Sequence, residues 1–126
     1  MPSTRVLIGG AGAAAALGIR VARSLHGRWR FLPEQDRRRI EPLALDLKAK
    51  ALDLRGAPDR QRAEQDLRAA SETFAAALVE TAEDDPGIAA EDVQLLRDDL
   101  RRELARLAGA EIKASRGERE SPPARQ

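Results

Sequence analysis

His26 is the only histidine in the sequence, and its side chain has an ordinary pKa near neutrality. A catalytic histidine usually has a carboxylate or another polar group to hold its ring, but no acidic residue occurs among the first 33 residues. Cysteine is absent, which excludes thiolate chemistry, disulfides and cysteine zinc sites. We therefore expect His26 to be a bystander on a basic surface. We also expect no enzymatic activity, no bound metal and no cofactor.

Acidic side chains cluster around a Pro-Gly pair, which invites comparison with a calcium-binding loop. Such a loop needs a ligand at its first position, a glycine at its centre and a glutamate at its end. With Gly87 as the centre, these outer positions fall on Ala82 and Val93, so the register does not fit. The cluster instead predicts a solvated acidic turn between two helices. Its members are Glu80, Glu83, Asp84, Asp85, Glu91 and Asp92.

Closely spaced glycines follow a short apolar run in the segment 5–15, which reads RVLIGGAGAAA. The segment resembles the strand and glycine-rich turn of the Rossmann dinucleotide-binding proteins, in which pyrophosphate approaches a helix N-terminus. This resemblance implies nucleotide binding through Gly10 and Gly12. The sequence lacks the acidic residue that follows the second strand in those proteins, and it lacks their further parallel strands.

Charge divides the chain into a basic N-terminal zone and an acidic remainder. The first 33 residues carry five arginines, whereas the other 93 carry 17 basic and 21 acidic residues. The segment Arg20–Arg39 is therefore a candidate surface for anionic lipid or nucleic acid. Aromatic residues are only 2% of the chain, too few for a platform on which bases stack.

An uninterrupted run of 14 residues without a polar side chain, Val6–Ile19, precedes these arginines. As a helix it is about 21 Å long, short of a hydrocarbon core of about 30 Å, although flanking arginines can extend such a span. It therefore predicts a membrane anchor or an interfacial helix, and the arginine bias predicts a cytoplasmic body. Two other interpretations stay open: a secretory signal peptide, and a helix packed on the body. The residues expected to contact lipid are Arg20, Arg23, Arg28, Trp29 and Arg30.

The rest of the chain predicts an all-α fold in three zones. These are an apolar N-terminal helix over residues 1–32, a helical body over 33–114 and a disordered tail over 115–126. In the body we expect a short turn at Pro33–Ile40 and then a main helix, or one kinked helix over both segments, which ends at Gly56 as the residue after its cap. Two further helices follow. The apolar residues of these three helices recur at spacings of three and four. The predicted stripes are Ile40, Leu43, Leu47, Ala51 and Leu54; Ala63, Leu67, Ala70, Phe74, Leu78 and Thr81; and Val93, Leu96, Leu100, Leu104 and Leu107.

Two leucines of the first body helix, Leu45 and Leu52, fall away from its main stripe. They belong to a seven-residue repeat of Ala-Leu-Asp-Leu, which is too short to establish a coiled coil. We therefore expect a helical hairpin or a three-helix body, with a self-associating coiled coil as the alternative. These leucines need cover from the N-terminal helix or from another protein, so we expect them to contact a partner or a second copy.

Three hypotheses for function follow. The leading one is a membrane-associated structural or adaptor protein with a cytoplasmic helical body. The alternatives are a soluble nucleic-acid-associated protein that uses Arg20–Arg39, and a nucleotide-binding protein that uses Gly10 and Gly12.

Overall fold

The chain is helical over nearly all of its described length. The computed structural model describes the backbone of residues 2–120 and the side chains of residues 15–109. Within these limits there is no β-strand, which confirms the all-α prediction. The helices are α1 (Pro2–Arg30), α2 (Glu34–Arg39), α3 (Glu41–Gly56), α4 (Arg60–Asp84) and α5 (Ala90–Glu120).

The ends of the helices have local causes. Pro42 occupies the first turn of α3, where its missing N–H costs no hydrogen bond. The Asp59 side chain caps α4 by accepting the Arg62 backbone N–H at 3.1 Å. Gly56 is the last residue of α3 and not the residue after its cap, and no described glycine has a positive φ. The helix ends there because Ala57 precedes a proline and adopts an extended conformation.

The last helix is longer than the sequence predicts. α5 continues to Glu120, six residues beyond Ala114, which was its expected end. Residues 121–126, the rest of the predicted tail, lie outside the described part of the chain.

The four long helices form a bundle in which α1 and α4 run one way and α3 and α5 run the other. A β-carbon built on Gly18 of α1 would lie 3.3 Å from Leu67 near the start of α4 and 3.9 Å from Leu107 late in α5. At the other end of the bundle, Arg28 of α1 meets the earlier α5 residues Asp99 and Glu103. This up-and-down arrangement suits the short connections between the helices.

The core confirms the three predicted body stripes and adds residues from α1. In α1, Val21, Ala22 and Leu25 are buried against the other helices. The innermost body residues are Leu47, Leu54, Leu67, Phe74, Leu78 and Leu100. Of the interpretations of the N-terminal run, packing on the body therefore holds for residues 15–25, while the side chains of residues 6–14 lie outside the described set.

Among the helices as far as the structure describes them, none is both long enough and apolar enough to cross a membrane.

Candidate interaction surfaces

The outer face of α1 carries three of the five residues predicted to contact lipid. Arg20, Arg23 and Arg30 are all exposed, and their spacings of three and seven residues place them on one side of the helix, opposite buried Leu25. None of the three forms an ion pair with another described residue. We call this surface the α1 basic face. Because no carboxylate among residues 15–109 neutralises these arginines, the surface can attract anions.

The other two predicted lipid contacts are engaged within the protein. The Arg28 guanidinium lies 3.4 Å from Glu103 and 3.8 Å from Asp99 of α5. The Trp29 indole N–H donates a hydrogen bond to the Arg37 carbonyl oxygen at 2.9 Å. Both side chains are half-buried and join α1 to its neighbours.

His26 lies beside Trp29, with the two ring centroids 5.1 Å apart. Partial burial lowers the pKa of His26 below its ordinary 6.5, and the positive charges of Lys48 and Arg30 lower it further. The imidazole therefore favours its neutral form. It contacts no carboxylate among the described residues, so nothing there holds it as a catalytic base.

The basic segment Arg20–Arg39 does not form one continuous surface. Arg38 pairs with Glu34 at 2.6 Å, and Arg39 reaches α4 to pair with Asp84 at 2.8 Å and Glu80 at 3.8 Å. Arg38 and Arg39 thus have carboxylate partners that the arginines of the α1 basic face lack among the described residues. The nucleic-acid hypothesis needs one continuous basic surface over Arg20–Arg39, and these ion pairs interrupt it.

The glycines of the nucleotide hypothesis lie in a different backbone setting from the one that the resemblance implies. Gly10 and Gly12 are within α1, which is helical from Pro2 onward. A pyrophosphate-binding turn requires the glycines between a strand and the first turn of a helix. No strand precedes them in the described chain, so the structural basis of that hypothesis is missing.

The outer face of α3 carries the predicted partner contacts. Leu45 is 57% exposed and Leu52 is 58% exposed, and no described helix covers them. Exposed Pro42 and Ala49 lie on the same side at spacings of three and four. We call these four residues the α3 apolar stripe. Sequence analysis did not single out Leu95 of α5, which is also exposed, because the stripe of α5 was read from the residues on its inner face.

The acidic turn between α4 and α5 takes part in contacts between helices. Glu83 pairs with Arg97 of α5 at 2.7 Å, and Asp84 pairs with Arg39. Asp85 lies against Asp36 of α2, a buried carboxyl that sequence analysis missed. The available signal was that Asp36 precedes buried Ile40 by four residues, which places both on the same side of the chain.

A shallow groove lies between α3 and α4. Its lining mixes apolar with charged side chains and converges on no nucleophile or base. The residues are Leu43, Asp46, Lys50, Asp66, Ala69, Ala70 and Thr73. Nor do the described side chains include three His, Asp or Glu residues placed to hold a metal ion.

Comparisons with known proteins give no functional lead, since the chain matches no protein-family model, no curated protein and no solved structure.

Proposed function

We propose that this protein is a non-enzymatic, membrane-associated adaptor. The α1 basic face binds an anionic lipid surface, and the helical body remains on the cytoplasmic side, where membranes carry most of their anionic lipid. The observation that carries this proposal is the set of three exposed arginines without ion-pair partners among the described residues, Arg20, Arg23 and Arg30. In the sequence they follow the uncharged segment 6–14, which can add apolar contact with the interface.

The protein-binding part of the adaptor is the α3 apolar stripe. Leu45 and Leu52 are large apolar side chains on a helix that already contributes Leu47 and Leu54 to the core. Exposed leucines grouped on one face are typical of surfaces that pack against another helix. This stripe is on a different helix from the α1 basic face, so lipid and protein can be bound by separate residues.

The lipid proposal is tested by co-sedimentation of the full chain with phosphatidylserine-containing vesicles and with phosphatidylcholine vesicles. Each arginine near an anionic surface contributes about 1 kcal/mol, so replacing Arg20, Arg23 and Arg30 by glutamine should weaken binding about 100-fold at low salt. A matched control replaces Arg55, Arg62 and Arg101, three exposed arginines on α3, α4 and α5 that form no ion pair with another described residue. The control changes the net charge equally and should retain binding.

Three outcomes count against the lipid proposal: no binding to anionic vesicles, equal binding to neutral ones, or equal losses in the two triple variants. Binding that survives both high salt and the α1 substitutions would reject the basic face as the lipid contact. Circular dichroism of each variant establishes that its helices remain folded.

A further inference from the structure

The short helix α2 is held against the rest of the bundle at three points. Its Arg37 carbonyl oxygen accepts the Trp29 indole N–H from α1, and Arg39 pairs with Asp84 of α4. The third point is Asp36, which is only 7% exposed and meets Asp85 in the turn between α4 and α5. This third contact differs from the others because it joins two acidic side chains.

The surroundings of these two carboxyls are unequal. Asp85 accepts the Gly87 backbone N–H at 2.8 Å, a hydrogen bond that stabilises its charged form. Asp36 shares a hydrogen bond with Asp85, and its buried Oδ2 receives no hydrogen bond from any donor among the described residues. An ionised Asp36 would thus be a buried charge with an unsatisfied oxygen, whereas a protonated Asp36 can donate to Asp85.

We propose that α2 is fastened by a proton-operated latch, in which a proton held between Asp36 and Asp85 ties α2 to the turn between α4 and α5. Loss of that proton places two carboxylates against each other and releases this contact. The chemistry is a simple proton transfer to solvent, with no other reactant. This regulatory contact is independent of lipid binding, because neither carboxyl belongs to the α1 basic face.

The charged groups around the latch determine the direction of its response. The hydrogen bond to Asp85 raises the pKa of Asp36 above its ordinary 3.8, and burial and the Asp85 charge raise it further, while Arg39 opposes the rise. The same hydrogen bond lowers the pKa of Asp85, and the Gly87 N–H adds to this effect. On α4, Asp84 and Glu80 pair with Arg39. Their negative charges weaken the lowering effect of Arg39 on the pKa of Asp36. Arg37, also on α2, has a buried Nε without a hydrogen-bond partner among the described residues.

These directions define the pH window in which the latch is closed. A carboxyl with a raised pKa stabilises the fold at low pH, and this contribution is lost as pH rises through the raised value. A carboxyl with a lowered pKa loses its contribution only as pH falls through the lowered value. The singly protonated pair is therefore favoured between the two pKa values, and α2 is released on the alkaline side of that window.

Trp29 provides a reporter in the unmodified chain, because it is the only tryptophan and its indole N–H binds α2. His26 would complicate the signal, since its titratable ring lies beside the indole and its pKa is lowered below the ordinary 6.5 by burial and by the charges of Lys48 and Arg30. We therefore place all variants in a His26→Gln background. Tryptophan emission is then measured across a pH titration from acid to neutral, with hydrogen exchange of residues 34–40 as a second readout, corrected for the intrinsic pH dependence of exchange.

In this background, the emission should change and α2 should lose exchange protection as pH rises through the Asp36 titration. Asp36→Asn should abolish this transition and keep α2 protected at every pH, because the amide donates to Asp85 without titrating. Asp85→Asn should also abolish it, since the new amide donates to the ionised Asp36 carboxylate. This second variant keeps the test decisive where the first fails to fold.

Asp84→Asn is the matched control, because it changes the neighbouring carboxylate and weakens the Arg39 pair without touching the latch. It should leave the transition in place. The latch is rejected where the background chain shows no transition, where Asp36→Asn retains it, or where Asp84→Asn abolishes it as completely as Asp36→Asn does. None of these readouts depends on vesicle binding, so the latch and the lipid proposal can fail separately.

Discussion

α1 and α3 are both rich in apolar residues, but they divide them differently between core and surface. The inner side of α1 buries Val21 and Leu25, and its outer side carries arginines. α3 buries Leu47 on one side and exposes Leu45 on the other. The comparison shows that the composition of a helix does not determine which of its apolar residues stabilise the fold. Their angular position relative to neighbouring helices does.

The largest expected difference in the free energy of unfolding is between substitutions of two leucines of α3, one buried and one exposed. Leu47 is fully buried, so Leu47→Ala should lower the free energy of unfolding by about 2–5 kcal/mol through lost contacts and a cavity. Leu45→Ala makes the same chemical change on the α3 apolar stripe and should alter it by less than about 0.5 kcal/mol. Urea unfolding followed by circular dichroism measures both.

The same two substitutions also test whether the α3 apolar stripe is exposed to solvent or covered in solution. Equal destabilisation by the two substitutions would mean that Leu45 is covered in solution. A concentration-dependent midpoint for the unsubstituted chain that disappears in Leu45→Ala would identify a second copy as that cover.

The next largest difference in stability is expected between substitutions of two glycines of α1. Gly18 faces the core, and its hypothetical β-carbon lies 3.3 Å from a Leu67 methyl carbon, so Gly18→Val should overpack the junction and cost about 1–3 kcal/mol. A β-carbon on Gly27 would have no atom within 4 Å apart from its chain neighbours and the backbone of its own helix, and Gly27→Ala should stabilise the helix by about 0.5–1 kcal/mol. Thermal unfolding gives the sign of each change, and a stabilising Gly18→Val would show that α1 is not packed as described.

The body helices were predictable because the apolar residues of each recur at a regular helical spacing in the sequence. Leu67, Phe74 and Leu78 recur at helical spacing, and all three are buried. The exposed positions of Leu45 and Leu52 followed from the same spacing. These predictions succeed because the periodicity of one helix already determines which side is apolar, whatever that side packs against.

The role of α1 could not be deduced in this way. A run of Ala and Gly has no polar side chain to mark an outer face, so the segment 6–19 is compatible with lipid, with a partner and with a core. Burial of Ala15 and the closeness of Gly18 to Leu67 and Leu107 favour the core for the part of the run whose side chains are described. Removing residues 1–30 would also take Val21 and Leu25 from the core, which is why the lipid test uses substitutions on the outer face.

Ion pairs between residues far apart in the sequence could not be predicted either. Arg28 was grouped with its neighbours in sequence as a lipid contact, whereas it meets Asp99 and Glu103 more than 70 positions away. Asp36 lies in a run of charged residues that has the composition of an exposed segment, yet it is buried. Local sequence contains no information on such partners, because they depend on how the helices are placed in the bundle.

The smallest expected difference in the free energy of unfolding is between substitutions of two arginines of α1. Arg28→Gln should lower the free energy of unfolding by less than about 1 kcal/mol, because the guanidinium is one-third exposed and its pairs with α5 are 3.4 and 3.8 Å long. Arg20→Gln should leave it unchanged, since Arg20 forms no ion pair with a described residue. High salt should reduce the Arg28 effect through screening and leave Arg20 unaffected. The reverse order in urea unfolding would place Arg20 in a stabilising contact and remove it from the α1 basic face.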